Sequence, residues 1–362
     1  MSQLVAEQPT TREVPLRVLD ARMHAVLRVQ TERPQTPDEF KRVAKAESTY
    51  LQYRSHLRHF VEWTRVPFPF PVSPVLLENY LSAHAYTLAP STLAYRLAAI
   101  RFASQQLGYG DPTNQGDVRL VMAGIRRQRA KEGWAPNEAD AFSPEEFAQI
   151  VDRLPEDLPG LRDRAYLLVG LFGAFRQSEL AKLTVERLES GRRGIAINMG
   201  VTKSDQENER KKFSVLPRLG EEHPYCPVTA LSRWLEASGI DAGPIWRGLR
   251  SPKKGGGLFA TDRNGNVKSM SHTAVNNMLR RRALEAGISD VSRISNHSLR
   301  ATFVTILVNL GVKAAVIARQ THHADPSIID TTYYRPTQAI EESPAWELGQ
   351  VFLRESGAGA RP

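Results

Sequence analysis

From residue 173 onward, four short segments carry side chains suited to work at a phosphate. The first is Gly173-Ala-Phe-Arg176-Gln-Ser-Glu179-Leu180, in which an apolar run ends in an arginine with a carboxylate three residues later. Three residues make one helical turn, so Glu179 is placed to hold the Arg176 guanidinium in one orientation. The second is Val201-Thr-Lys203, on a predicted hairpin between two short apolar strands, where a tip lysine can reach into a groove; Lys211 and Lys212 fit the same description. The third, Asn296-His297-Ser-Leu-Arg300, opens a predicted helix whose apolar face is Leu299, Phe303, Ile306, Leu307 and Leu310. His297 and Arg300 then lie one turn apart beside the helix N-terminus, where backbone amides favour an anion. The fourth runs from Arg319 through His322 and His323 to Tyr333, Tyr334 and Arg335. Singly, each segment reads as easily as a surface ion pair, a solvated lysine, a capping histidine or a core tyrosine. Jointly they form an inventory for metal-free phosphoryl transfer at a phosphodiester. Arginines neutralise the charge building on the non-bridging oxygens, and a lysine can protonate the leaving oxygen.

Arg-x-x-Glu-Leu, a hairpin lysine, His-x-Leu-Arg and a tyrosine about thirty residues later occur here in the order found in tyrosine recombinases. On these motifs the chain resembles the tyrosine recombinase (phage integrase) family, and Cre-like site-specific recombinases in particular, over about residues 40 to 350. The resemblance implies that Arg176 and Arg300 hold the scissile phosphate and that Lys203 is the general acid. It further gives His297 to proton handling or phosphate contact, Glu179 to orientation, and His323 to the place the family fills with His or Trp. Arg319-Gln-Thr-His322-His323 is similar to the family's Arg-Gln-Thr-Gly-His, with His322 in the glycine position, and Asn296 stands where glycine usually precedes the motif histidine. The nucleophile is Tyr333 or Tyr334, which on a helix point about 100° apart so that only one can face the phosphate. Tyr333 is favoured, ten residues after His323 where the family usually has nine, with a one-residue insertion near Pro326. The implied reaction passes through a 3′-phosphotyrosine and a Holliday junction. Because the bond energy stays in the phosphotyrosine, resealing needs no cofactor, neither ATP nor metal. Inverted-repeat duplex DNA and a homotetramer on two sites are the implied partners.

Elements that would position these groups follow from periodicity. Residues 1–38, with Pro9, Pro15, Pro34 and Pro37, read as a loosely ordered arm with a helix near 15–30. Residues 39–131 show apolar residues at helical spacing, among them Tyr50, Tyr53, Leu57 and Phe60, broken by Pro- and Gly-rich loops into four or five helices: an all-α bundle expected to bind DNA. A linker is expected over 132–142. The segment 143–338 reads as an α+β catalytic domain, opening with the helix-start pattern Ser143, Pro144 and Glu146. Helices are expected near 161–175, 177–182, 227–238, 271–286, 297–310 and 313–320, with short strands near 194–199, 212–216 and 257–260. Gly239, Gly287 and Gly311 are placed to end helices in the left-handed conformation. The fold class is therefore mainly α with a small antiparallel sheet. Residues 339–362, with Trp346, Leu348, Val351 and Phe352, read as an apolar helix too exposed to stand alone, and the resemblance docks it on a neighbouring protomer. Base reading is expected from polar helix faces laid in the major groove: Thr49, Gln52, His56 and Arg58; Ser91, Tyr95 and Arg96; and Ser271, His272, Thr273, Asn276 and Arg280.

Composition is consistent with this. A length of 362 residues suits two domains, and a formal net charge of +9 favours an anionic partner, nucleic acid ahead of a membrane surface. The single cysteine, Cys226, excludes an intrachain disulfide and a thiol zinc pair, and the chain begins without the pattern of a secretion signal. The longest apolar run, Ala165 to Phe175, is too short to span a bilayer, so a cytoplasmic, nucleoid-associated protein is expected. Other readings are a metal-dependent nuclease using His322, His323 and Asp325, a catalytically silent DNA-binding protein, and a telomere resolvase or type IB topoisomerase sharing the same chemistry.

Overall fold

The computed structural model describes residues 21–27, 36, 45–114, 116–135, 139–200, 212–250, 258–262, 265–323 and 325–329. Contacts divide the chain into two compact units, residues 1–136 and 137–362.

The described part of the first unit is helical: α1 (Ala21–Val26), α2 (Glu47–Thr64), α3 (Pro74–His84), α4 (Pro90–Gln106) and α5 (Gly116–Lys131). Prolines begin α3 and α4, where a missing amide proton costs nothing, and the Ser73 hydroxyl accepts from the Leu76 amide to cap α3. Met23 and Leu27 from α1 and its end, Tyr50, Leu57 and Phe60 from α2, Leu77 and Tyr80 from α3, Leu93 and Ile100 from α4, and Met122 from α5 make one core. The apolar spacing read from the sequence thus faces inward.

The second unit opens with α6 (Pro144–Asp152), whose start is the expected capping box: Ser143 Oγ accepts from the Glu146 amide at 3.1 Å and the Glu146 carboxylate accepts from the Ser143 amide at 2.8 Å. Next come α7 (Leu158–Gly173), the single-turn α8 (Gln177–Leu180), strands β1 (Leu188–Gly191), β2 (Gly194–Asn198) and β3 (Phe213–Pro217), then α9 (Pro227–Ser238), α10 (His272–Glu285), α11 (Asn296–Asn309) and α12 (Ala314–Thr321). The three strands form one antiparallel sheet in sequence order, with Ile197 opposite both Leu188 and Ser214. The strand expected near 257–260 is replaced, among the described residues, by isolated bridges such as Leu249 to Phe259. β1 had no expectation behind it, because Leu-Glu-Ser-Gly is an exposed edge with no buried alternation to betray it. Gly239, Gly287 and Gly311 do follow α9, α10 and α11 with positive φ.

Helix α7 is the axis of this unit. Ala165 to Val169 are all buried, so this stretch of the helix is enclosed on every side, and the helix packs against α9, α11 and β3. At Gly170 a Cβ would come within 2.6 Å of Leu299 Cδ1, so the missing side chain lets α11 approach closely. Leu299 is the neighbour of Arg300, and this contact sets how deep that arginine sits. Asp163, fully buried on α7, receives Arg162 at 2.7 Å and Arg282 of α10 at 2.8 Å, with Arg281 at 3.4 Å. No described helix is long and apolar enough to cross a membrane.

Candidate active site

The ends of two helices meet at Arg300. Helix α7 stops because Ala174 turns left-handed (φ 49°), which frees its carbonyl and redirects the chain into Arg176. Helix α12 stops at His322, also left-handed (φ 55°), leaving the Thr321 and His322 carbonyls open. Arg300, only 1% exposed, rises from the start of the second turn of α11 between them. Its Nη1 donates to Ala174 O at 2.7 Å, and its Nη2 donates to Thr321 O at 2.6 Å and lies 3.0 Å from His323 Nε2. The buried guanidinium is thereby held by two main-chain carbonyls and an imidazole, in one fixed orientation.

Arg176 lies beside it. Its Nη1 donates to Glu179 Oε1 at 2.8 Å while the other Glu179 oxygen accepts the Arg176 amide at 2.8 Å, so one carboxylate fixes both ends of the residue. Nη2 of Arg176 donates to His322 O at 3.4 Å. His297 is exposed at the first turn of α11, where Ser295 caps the helix by accepting from the His297 amide at 3.2 Å. Burial above all, and then Arg300, Arg176 and His297, hold the His323 imidazole at a pKa of about 4, with Glu179 opposing them. His322 is likewise held at about 4, mostly by burial, with Lys212, Arg300 and Arg176 adding and Glu179 opposing. Arg176, Glu179, His297 and Arg300 all act on the His323 ring, so five of the seven residues expected at the centre gather about that imidazole. Lys203 and both candidate tyrosines, Tyr333 and Tyr334, lie outside the described residues. Lys212, at the entry to β3, is close enough to act on His322.

Residues expected to read DNA fall into two groups. Gln52, Arg58, Ser91, Ser271, His272 and Thr273 are exposed, Thr49 is half-buried, and the His56 ring stacks on exposed Tyr95 with centroids 6.3 Å apart. Three others point elsewhere. Arg96 is buried and donates to Tyr80 Oη at 2.8 Å and to the His59 ring at 2.6 Å. Arg280 Nε donates to Ile294 O at 3.0 Å. Asn276 Oδ1 accepts from the Asn296 amide at 3.0 Å, and Asn296 Oδ1 in turn accepts from Tyr166 Oη at 2.8 Å. Asn276 and Arg280 therefore brace the loop and first turn that deliver His297 and Arg300. Sequence reasoning missed this because an amide on a polar helix face looks the same whether it meets a base or a neighbouring backbone. It also missed Ala174 and Thr321, which act only through carbonyls and carry no side-chain signal. Among the described residues no group of three or more His, Cys, Asp or Glu could hold a metal ion.

A mainly helical unit with a three-stranded sheet here sets two arginines about the end of one helix, an arrangement suited to holding a phosphate. The phage integrase family model matches residues 141–339, more than half of the chain, and the chain belongs to that family; it is a tyrosine-type site-specific DNA recombinase. An integrase/recombinase xerD homolog of Selenomonas ruminantium is 28% identical over 298 residues, 79% of this chain and 81% of that one. Recombinase cre of Escherichia phage P1 is 27% identical over 212 residues, 56% of this chain and 59% of that protein. Among solved structures, the XerH recombinase bound to palindromic difH substrate aligns with a TM-score of 0.56 at 16% identity, covering 85% of this chain and 82% of that one. The Tn1549 transposon integrase in complex with transposon right end DNA aligns with a TM-score of 0.56 at 16% identity, covering 86% and 97%. At these identities the likeness is one of fold.

Proposed function

We propose that this enzyme cuts and rejoins duplex DNA through a 3′-phosphotyrosine formed on Tyr333. The observation that carries the reading is the convergence of Arg176, Arg300 and His297 about His322 and His323 at the end of α12. A tyrosine hydroxyl has an ordinary pKa near 10, so it must lose its proton as it attacks, and the two guanidinium groups lower the cost of the charge that results. The tyrosine oxygen bonds to phosphorus, the bond to the 5′ oxygen breaks, and Lys203 gives that oxygen its proton. The reverse attack by a 5′-hydroxyl of the partner duplex completes strand exchange through a Holliday junction.

The DNA-bound relatives support duplex DNA as the partner. An inverted-repeat site and four protomers on two sites follow from this reading, with the polar faces of α2, α4 and the start of α10 toward the major groove and the protein acting in the cytoplasm on the nucleoid. Residues 1–38 serve as an arm, 39–131 as the DNA-binding domain, 132–142 as the linker and 143–338 as the catalytic domain. Residues 339–362 of one protomer dock on another. A groove of about 510 Å³ beside α11, lined by Phe142, Ile306, Asn309 and the exposed Leu310, is the seat assigned to that segment.

The test is a covalent protein–DNA band on a nicked duplex selected for binding from random sequence, in buffer containing EDTA. The parent and Tyr334→Phe should form it and Tyr333→Phe should not. A band from Tyr333→Phe would move the nucleophile, and no band from any form would leave a silent DNA-binding protein.

A further inference from the structure

Two layers of paired side chains join α2 to α4 in the first unit. The outer pair is the half-buried His56 and the exposed Tyr95, whose rings lie parallel to within 10° with centroids 6.3 Å apart. The inner pair is His59 and Arg96, one helical turn along α2 from His56 and one residue along α4 from Tyr95. Arg96 is buried, and its Nη1 donates to the His59 ring at 2.6 Å and to Tyr80 Oη of α3 at 2.8 Å, while Tyr80 Oη and His59 Nδ1 lie 3.0 Å apart. One guanidinium thus ties three helices together next to the exposed pair. His84, at the end of α3, closes the cluster, its ring centroid 4.9 Å from those of both His59 and Tyr80.

An apolar side chain at position 96 would avoid the cost of desolvating a guanidinium. What the arginine adds is direction. Apolar contacts tolerate a small rotation or slide of one helix on another, whereas donor and acceptor must meet within a narrow range of distance and angle. Hydrogen bonds from one residue of α4 to α2 and α3 therefore fix how far His56 stands from Tyr95 and how the two ring planes are set. Burial first, and then Arg96, also hold the His56 imidazole below the ordinary histidine range, so at neutral pH the ring is uncharged, with one donor and one acceptor.

We infer that His56 and Tyr95 read DNA as one unit, and that Arg96, itself buried, is the positioning residue that fixes the two rings against each other. The inference rests on the reading of the α2 and α4 faces as DNA-facing. Centroids 6.3 Å apart span two base-pair rises of about 3.4 Å each, so both rings fall on the same or neighbouring base pairs. A rotation of α2 against α4 separates the rings and blurs the preference at those pairs, while phosphate contacts along the rest of the face persist.

The experiment starts from a duplex that the full-length parent selects from a random-sequence library. Binding is followed by fluorescence anisotropy on a panel in which each base pair of one half-site is changed in turn. The parent should discriminate about tenfold to a hundredfold at the pairs read by His56 and Tyr95, and Tyr95→Ala and His56→Ala should each lose most of that preference at the same or neighbouring pairs. Arg96→Met should lose about tenfold of it at those pairs too, and keep the parent's preference at every other pair and its dependence on salt. Weakening by one factor across the whole panel is what a merely structural arginine gives, and it overturns the inference, as does a loss confined to other pairs or no loss at all. Should Arg96→Met melt early, Tyr80→Phe, which removes one of the two acceptors of the guanidinium, decides on the same criterion. If Tyr95→Ala and His56→Ala both keep the parent's preferences throughout, the DNA-facing reading itself fails, a result seen without the Arg96 or Tyr80 variants.

Discussion

Arg300 Nη2 sits 3.0 Å from His323 Nε2, while the other ring nitrogen, Nδ1, lies 2.9 Å from Thr321 Oγ1. Because guanidinium can only donate, Nε2 must accept, which assigns the ring proton to Nδ1 and keeps the imidazole neutral.

In solution His323 should stay neutral down to a pH of about 4. The unfolded chain takes up these protons from about 6.5, the ordinary value, whereas folded His322 and His323 refuse them until about 4. Stability of the catalytic unit is accordingly full above pH 6.5 and falls as pH drops toward 4. Tm measured between pH 7 and 4.5 should fall by several degrees, and His323→Gln should flatten part of that slope. Imidazole resonances of His323 titrating near pH 6.5 would contradict the tautomer and the linkage together.

Replacing Arg300 by lysine keeps a charge but cannot serve Ala174 O, Thr321 O and His323 at once. Cleavage by Arg300→Lys should drop about a hundredfold to a thousandfold. Arg300→Ala should in addition cost about 1 to 3 kcal/mol for each buried carbonyl left unpaired. Urea titration separates the two effects, and a fully stable, fully active lysine variant would remove Arg300 from the phosphate site.

Asn276 lies on the helix face proposed to meet DNA, yet its side chain accepts from the first amide of α11. Asn276→Ala should slow covalent adduct formation about tenfold by loosening the turn that carries His297 and Arg300. Binding to the selected duplex, followed by fluorescence anisotropy, should change little. The reverse pattern would make it a base-reading residue.

Asp163 is the one carboxylate on which Arg162, Arg281 and Arg282 converge, with Glu285 binding Arg282 from outside at 2.8 Å. Asp163→Asn leaves buried guanidinium groups short of charge and should cost about 3 to 5 kcal/mol in urea unfolding. A change below 1 kcal/mol by the same measurement, on the order of a surface pair, would mean that water reaches the cluster.

Removal of residues after 340 takes away the segment assigned to the groove beside Leu310. Recombination between two sites should be lost while binding of one protomer to a half-site survives. A truncated protein that recombines at the parent rate would end the docking proposal.

Local order was legible because it rests on neighbours in the chain. The capping box at Ser143, the bounds of α9 at Pro227 and Gly239, and the one-turn spacing of Arg176 and Glu179 are set by backbone geometry and by side chains three residues apart. Chemical identity was legible for the same reason, since phosphate chemistry needs particular side chains whatever surrounds them. What the folded chain alone decided is how distant segments share a point. The Arg300 guanidinium is bound by carbonyls 126 and 21 residues away, and no sequence pattern announces a carbonyl. Burial of Arg96 and the inward turn of Asn276 likewise depend on which neighbouring helix closes over a polar face. Spacing along a chain determines what can face one way; only close packing determines what it faces.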